Sequence, residues 1–364
     1  MIDPRDNRGK RHDLYFVLFG VLLATMAGQA LIAEIHRFLV RHHACLCSLL
    51  QLDEARSVSD AQLRRLLILV DQNVYQQFHA NYFGWQVSLL PADSWISFDG
   101  KEIRGTIDGV SGQKRGLCLV RPLLQQSSIS LPGLFYHGAK DSEIACVRAL
   151  LQERALASQC ITFDALHNQH ETLEMVQDAG GTYLAQVKAN QSALLDDLRD
   201  HTVLAEPFAQ QQTLDKGHGR IEQRKASFYS VEAICFESKW DASGFATLAV
   251  VERESTHCKT GKVSQEISYY LSNAIPEQIK PQKIFIAIRQ HWSIEADNWV
   301  RDTTFREDHI KCKEPARSKM LASIISVAGN LLRQQKKGFL KAMQEDIACK
   351  PALAIPLFKH HDLL

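Results

Sequence analysis

Residues 94–105 read SWISFDGKEIRG, and residues 159–167 read QCITFDALH. In each, an apolar run rich in β-favouring side chains stops at an aspartate followed by a small residue: Asp99 before Gly100, and Asp164 before Ala165. The pattern predicts two strands that each end in an acid. A single aspartate in such a place is ordinarily a turn or capping residue. Two of them in one sheet also suit a shared metal site, and on these residues alone both readings stay open.

Working outward, GLCLVRPLL (116–124) and LPGLFYHGAK (131–140) read as further strands, and SEIACVRALLQERALA (142–157) as a helix. HETLEMVQDAG (170–180) is a helix closed by Gly180 and Gly181, and TYLAQVKAN (182–190) is another strand. Strands followed by alternating helix and strand imply an α/β fold, a mixed sheet flanked by helices. Residues 192 to about 275 break the rhythm. After the helical LLDDLRDH, the segments KASFYSVEAICF, FATLAVVERES and SQEISYYLS read as antiparallel strands, a β-rich insertion in the sheet domain. A helix then runs from about Pro281 through Val300, and an amphipathic helix covers 318–343.

Ahead of the sheet, residues 1–90 read as a helical domain. Ser57 to Asp60 supply capping side chains for AQLRRLLILVDQNVYQQFHANYF (61–83), where Leu63, Leu66, Leu67, Val70 and Val74 keep helical spacing. Arg56, Arg64 and Arg65 there are either a DNA-contacting cluster or a solvated face. Leu14 to Ala33 is an uncharged run of membrane-spanning length behind Arg5, Arg8, Lys10 and Arg11. Gly20, Thr25, Gly28 and Gln29 inside it, and its unbroken continuation into EIHRFLV, favour a buried helix. The expected divisions are thus 1–90, 91–345 and a tail at 346–364.

Bulk properties exclude little. Hydrophobic residues make up 45% and charged residues 23%, which is ordinary for a folded soluble chain. With 42 Lys and Arg against 41 Asp and Glu, net charge gives no argument for a nucleic-acid partner; local patches must carry it. Nine scattered cysteines, without a C-x-x-C pair, fit reduced thiols in a reducing cytosol.

Phosphodiester chemistry gives the strand-end acids a purpose. Two Mg²⁺ ions roughly 3.5–4 Å apart stabilise the attacking and leaving oxygens. Magnesium takes carboxylate oxygens while keeping several waters, so two or three acids on a rigid frame suffice.

At this point the chain resembles a known family. The opening DPRDNRGKRHDLYFVLFGVLLATMAG, then FDGKEIRG, KDSEI, FDALHNQ, YLAQVKANQ, GHGRIEQR and RQHWSIEADNWVRDTTFRED follow one another as in bacterial insertion-sequence transposases of the ISAs group, which include the H-repeat-associated proteins. The resemblance implies an RNase H-like core with an N-terminal helical domain and a β-rich insertion. It also implies a catalytic, metal-holding set of Asp99, Asp164 and Glu295, with two Mg²⁺ (or Mn²⁺) as cofactors. The activity it implies is DNA cleavage and strand transfer, against the alternatives of a DNA-binding derivative or a nuclease that does not join. The partners would be double-stranded DNA and at least one further copy of the chain, in a cytoplasmic, nucleoid-associated setting without membrane association. The third block departs from the family's usual form at Asp297 and Asn298. Where the broader signature has Arg and Lys, this chain has His291 and Asp302.

Around those acids, Lys101, Arg104 and Lys188 suit contacts to phosphate. His167 and Gln169 are expected to place DNA or to cap a loop. His218, Arg220 and Arg224 would grip DNA or close a hairpin. If Glu295 shares one helix with Arg289 and His291, His291 lies on its face, and both could meet phosphate. Asp302, on the same face, would assist a metal or pair with an arginine. Lys311 and Lys313 open a stretch to Lys341 with eight Lys or Arg and one acid, Glu314, a phosphate-attracting patch or a solvated helix face. Trp292 and Trp299, seven apart, are expected in the core.

Overall fold

The computed structural model describes residues 3, 5, 10–53, 55–83, 90, 94–107, 115–137, 140–217, 219–334 and 339–358. Along the chain come α1 (Leu14–Met26), α2 (Ile32–Arg41), α3 (His43–Leu49), α4 (Asp60–Leu69) and α5 (Gln72–Tyr82). Next are β1 (Trp95–Ile103), β2 (Leu117–Leu124), β3 (Ile129–Ser130), β4 (Leu134–Tyr136), α6 (Lys140–Glu153), β5 (Cys160–Phe163), α7 (His170–Asp178) and β6 (Thr182–Val187). Then follow α8 (Ser192–Leu204), β7 (Ala209–Gly217), β8 (Arg220–Ser230), β9 (Thr247–His257) and β10 (Val263–Ser272). Last come α9 (Pro281–His291), α10 (Ser293–Thr303), α11 (Pro315–Gln334) and α12 (Leu340–Cys349).

The fold is mixed α/β, with strand order β3-β2-β1-β5-β6-β10-β9-β8-β7 and β4 also paired to β2. Contacts divide the chain into two compact units. One is Met1–Leu90, Asp99–Cys146 and Ser293–Leu364; the other is Pro91–Phe98 and Val147–Trp292. These lines differ from the linear divisions at 90 and 345. Strand β1 contributes to both, Trp95–Phe98 to the second unit and Asp99–Ile103 to the first.

In the first unit the helices form around α11, whose residues Met320 to Leu332 are all buried. The sequence suggests an amphipathic helix here. Instead α1, α4 and α5 pack around α11, so it carries no solvent face along this stretch and is apolar or small all round. Its polar Asn330 is satisfied by clasping the backbone of β3. Asn330 Oδ1 accepts from Ser130 N at 2.9 Å, and Nδ2 donates to Ser130 O at 2.8 Å.

Four helices expected as continuous are divided, the one over 318–343 between α11 and α12. The apolar run at 14–33 ends as α1 at Met26, and Gly28 follows at φ +77°, a conformation that favours glycine. Glu34 then accepts from the backbone N–H groups of Ala30 and Leu31, capping α2. Among the described residues no helix is long and apolar enough to cross a membrane. Val70 is extended, and Asp71 caps α5 by accepting from Asn73 N and Val74 N, so 61–83 is two helices. Another break, at Trp292, separates α9 from α10.

In the second unit β1, β5 and β6 run parallel, while β10 lies antiparallel to β6 with Tyr269 opposite Val187. The strands expected as an insertion therefore prolong this sheet. They include one that sequence patterning does not reveal: β7, AQQQTLDKG, pairs along its whole length with β8. Its glutamine-rich, alternating half-exposed pattern gives little apolar signal. Helix α9 covers one face of the sheet, with Ile284, Phe285 and Ile288 packed among Trp95, Leu184, Phe228 and Val251. Among the described residues, none of the nine cysteines is joined in a disulfide.

The turn between α7 and β6 is sterically exacting. A Cβ on Gly181 would lie 1.9 Å from the carbonyl oxygen of Ala157, whereas one on Gly217 meets nothing within 4 Å. Gly181→Ala is expected to cost about 1–3 kcal/mol in urea unfolding, the range for forced overpacking, while Gly217→Ala stays within about 0.5 kcal/mol of wild type.

Candidate active site

Asp99 is the central residue of β1 and half-buried; the strand expected to end at this acid instead runs on to Ile103. Its Oδ2 accepts a hydrogen bond of 2.6 Å from Nδ2 of Asn298 on α10. Glu295 lies one turn earlier on α10 and is exposed, so Glu295 and Asn298 share a helix face. The first unit thus brings Asp99 to the helix that carries Glu295. The two residues noted as departures from the family, Asp297 and Asn298, are the ones that fix this arrangement.

Behind them is a buried charge network. Arg121, in the middle of the apolar strand β2, is 2% exposed. It donates to Asp297 through Nη1 and to Oδ1 of Asn298 through Nη2. The other carboxylate oxygen of Asp297 pairs with Arg333 of α11. Burial alone would raise the Asp297 carboxyl, but the charges of Arg121, Arg333 and Arg301 outweigh it and hold it well below the ordinary carboxylate range. Arg301 pairs with buried Glu307 and donates to Ser326 Oγ and to the Ala322 carbonyl, which ties α10 to α11.

Lys101 belongs to the same unit. Its ammonium lies 2.6 Å from Asp302, 3.1 Å from Asp308 and 3.5 Å from Glu307, and the side chain is buried. The expected phosphate contact at Lys101 is therefore corrected: the charge faces inward among carboxylates. Asp302 pairs with this lysine rather than with an arginine. Arg104 is exposed, as are Lys311 and Lys313. The basic stretch beyond Lys313 is dispersed: Arg333 turns inward to Asp297, Lys319 lies over the Phe135 ring and Arg317 donates to the Arg64 carbonyl. Lys336 and Lys337 lie outside the described residues.

In the second unit Asp164 directly follows β5. Its Oδ1 accepts from the N–H groups of Leu166 and His167, so the turn-capping reading holds for that oxygen. Two residues earlier, Thr162 Oγ1 lies 3.0 Å from Ser97 Oγ and 2.8 Å from Nδ1 of His291. Ser97 and Thr162 are the last registered pair of β1 with β5, and Asp99 and Asp164 each stand two residues further along the chain.

His291 is on α9, so the expectation of one helix carrying Arg289, His291 and Glu295 is corrected by the break at Trp292. Burial lowers the His291 pKa to about 4; the nearby Asp164 charge opposes that shift, and His167 and Lys188 add to it. A neutral imidazole bonded to Thr162 is a poor cationic phosphate contact. His167 is also buried, with its ring 6.2 Å from that of Phe163. Lys188 and Arg220 are exposed. Arg224 is half-buried between Asp215 and Glu222, and Arg289 pairs with Asp215 at 2.8 Å. His218 lies outside the described residues. Trp292 and Trp299, expected in the core, are 50% and 65% exposed. A cavity of about 290 Å³ joins Trp292, Arg224 and Arg289 with Arg253, a residue that sequence reasoning missed although it lies directly opposite Arg224 in the sheet.

Among the described residues, no group of three His, Cys, Asp or Glu is gathered closely enough to hold a metal ion alone. The donors at Asp99, Asp164 and Glu295 are nonetheless all carboxylate oxygens. Magnesium sites of this type are completed by water and substrate phosphate rather than by the protein alone.

Comparison with known proteins agrees along the chain. A family model described as Transposase DDE domain matches residues 133–331, and the model for the segment associated with that domain matches residues 1–83. The chain is 26% identical over 362 residues to the "Putative transposase YncI" of Escherichia coli O157:H7, covering 95% of this chain and 89% of that protein. It is 27% identical over 269 residues to the "H repeat-associated putative transposase YhhI" of Escherichia coli K12, covering 71% of this chain and 70% of that protein.

Two outcomes follow from the geometry. Asp297→Ala leaves Arg121 and Arg333 without their shared anion and should cost about 3–5 kcal/mol in urea unfolding, the cost of breaking a buried ion pair on one side. An unchanged midpoint would show the network to be dispensable. His291, with a folded pKa below its unfolded value, binds fewer protons folded than unfolded between about pH 4 and 6.5. Its ring should therefore stay neutral in NMR titration down to about pH 4, and its contribution to stability should fall as pH drops through that window.

Proposed function

The chain belongs to the DDE-domain transposase family, and from that membership we propose that it cleaves DNA at the ends of an insertion sequence and joins them to target DNA. Asp99, Asp164 and Glu295 are the carboxylates assigned to two Mg²⁺ ions, with Mn²⁺ able to substitute. The observation that carries this assignment is the pairing of Ser97 with Thr162 on adjacent parallel strands, each two residues short of an acid. The bond from Asn298 to Asp99 supports Glu295 as the third member, because Glu295 is one turn away on the same helix.

When bound, the two ions supply charge neutralisation at the attacking and leaving oxygens. The protein's part is to hold its acids rigidly and to place the backbone. In the first reaction water attacks a phosphodiester, leaving a 5′-phosphate and releasing a 3′-hydroxyl; in the second that hydroxyl attacks a target phosphodiester, forming a new phosphodiester and expelling the target strand's 3′-hydroxyl. Neither requires a covalent link to the protein. Exposed Arg104, Lys188, Arg220, Arg289, Lys311 and Lys313 suit contacts to phosphate, which position DNA without reading its sequence. Lys101 and His167 are withdrawn from that role by their burial. Two DNA ends held for one joining event imply at least two copies of the chain, acting where chromosomal DNA lies.

The test uses purified chain, Mg²⁺ or Mn²⁺, and DNA bearing the inverted repeats that flank the gene. Asp99→Ala, Asp164→Ala and Glu295→Ala should each reduce cleavage and joining to background while a gel-shift assay still reports DNA binding. Wild-type cleavage by any one of them removes that residue from the set. Cleaved but never joined products would reduce the activity to that of a nuclease.

A further inference from the structure

Asn298 stands between two groups that leave its amide only one useful orientation. On one side Arg121 offers N–H donors and no acceptor; on the other the Asp99 carboxylate offers acceptors and no donor. The amide therefore turns Oδ1 to Arg121 and Nδ2 to Asp99, and the 2.6 Å bond to Asp99 Oδ2 results. An aspartate here would lack the donor, and a lysine or arginine would lack the acceptor.

The helix that delivers this amide is also fixed. The neighbouring residue, Asp297, is held between Arg121 and Arg333, and Arg301 binds Glu307 together with Ser326 and Ala322 of α11. Rotation of α10 would break several buried charge-assisted bonds at once. Resting on the assignment of Asp99 to a metal, we propose that Asn298, oriented by Arg121, is a positioning residue that sets the direction of the Asp99 carboxylate and so the affinity of the site for its divalent ion. Groups that orient a metal's ligands in this way typically change metal affinity or activity 10–100-fold when removed.

The experiment titrates Mn²⁺ into the full chain bound to end-bearing DNA and follows free Mn²⁺ by EPR, with Asp99→Ala defining the background. Asn298→Leu removes the donor at similar size, and Asn298→Ala removes it without added bulk should leucine prevent folding. Asn298→His retains one donor and one acceptor. The Leu or Ala variant should weaken Asp99-dependent Mn²⁺ binding about 10–100-fold and raise the Mg²⁺ needed for half-maximal cleavage to a similar extent. Asn298→His should restore both. Wild-type Mn²⁺ affinity in folded Asn298→Leu or Asn298→Ala overturns the positioning role while leaving Asp99 as a ligand. Identical binding by wild type and Asp99→Ala overturns the metal assignment itself, and this inference with it.

Discussion

An arginine stays protonated at every pH a protein meets, so burying two of them and half-burying a third obliges the fold to place anions beside them. Arg121, Arg301 and Arg333 impose that constraint on the first unit. Asp297 and Glu307 answer it, and the five residues tie β2, α10 and α11 into one assembly. Replacing such a network with apolar residues of equal volume often leaves a protein no less stable. Its value here lies in specificity, because few helix rotations satisfy all the donors together. Lys101, sharing Glu307 with Arg301, extends the same demand to β1.

The second unit achieves local rigidity by other means. Its parallel strands are buried on both faces, and the polar groups among them are hydroxyls, the Gln186 amide and an imidazole rather than ions. Ser97, Thr162 and His291 form a short chain of hydrogen bonds that needs no net charge, provided His291 is neutral. Desolvation meets that condition. Each unit thus carries one of the two acids on a firm support, Asp99 bonded to the Asn298 amide that Arg121 holds and Asp164 two residues beyond the Ser97–Thr162–His291 chain; on the proposed reading both would coordinate through oxygen.

Much of this is legible in the sequence where the signal is local. The apolar runs ending in Asp99 and Asp164 need only period and composition, and Ser59 declares itself a cap by the helical pattern that follows it. Helix interruptions are harder. Gly28 and Asp71 sit inside otherwise helical patterns, and periodicity alone does not register a break of one or two residues. Residues whose partners lie far along the chain are harder still. Nothing near Lys101 announces Asp302 and Asp308, and by its neighbours Arg333 is one more member of a basic stretch. Arg121 does leave a trace, since an arginine within LCLVRPLL must either snorkel to solvent or find buried carboxylates. Asp297 and Asn298 stand out only as departures from a family pattern, and their roles require seeing what faces them. The exposure of Trp292 and Trp299 escapes the pattern because seven-residue spacing marks one helix face, whereas Trp292 terminates one helix and Trp299 lies on the next.

The network also bears on how a chain with net charge +1 could hold a polyanion. Counting charges treats every arginine alike, yet Arg121, Arg301 and Arg333 are committed to internal carboxylates and contribute little field at the surface. Asp297 and Glu307 are withdrawn with them, so the exclusion is nearly balanced and the total conceals it. On the proposed reading, DNA would meet exposed groups such as Arg104, Lys188, Lys311 and Lys313. Neutralising a few phosphates in this way would give affinity with a modest dependence on salt rather than the steep one of a strongly basic protein. On the proposed reading, divalent ions would neutralise charge at the reacting phosphate itself. On that reading the arginines would serve the reaction indirectly, by fixing the helix that carries Glu295 and the amide that faces Asp99.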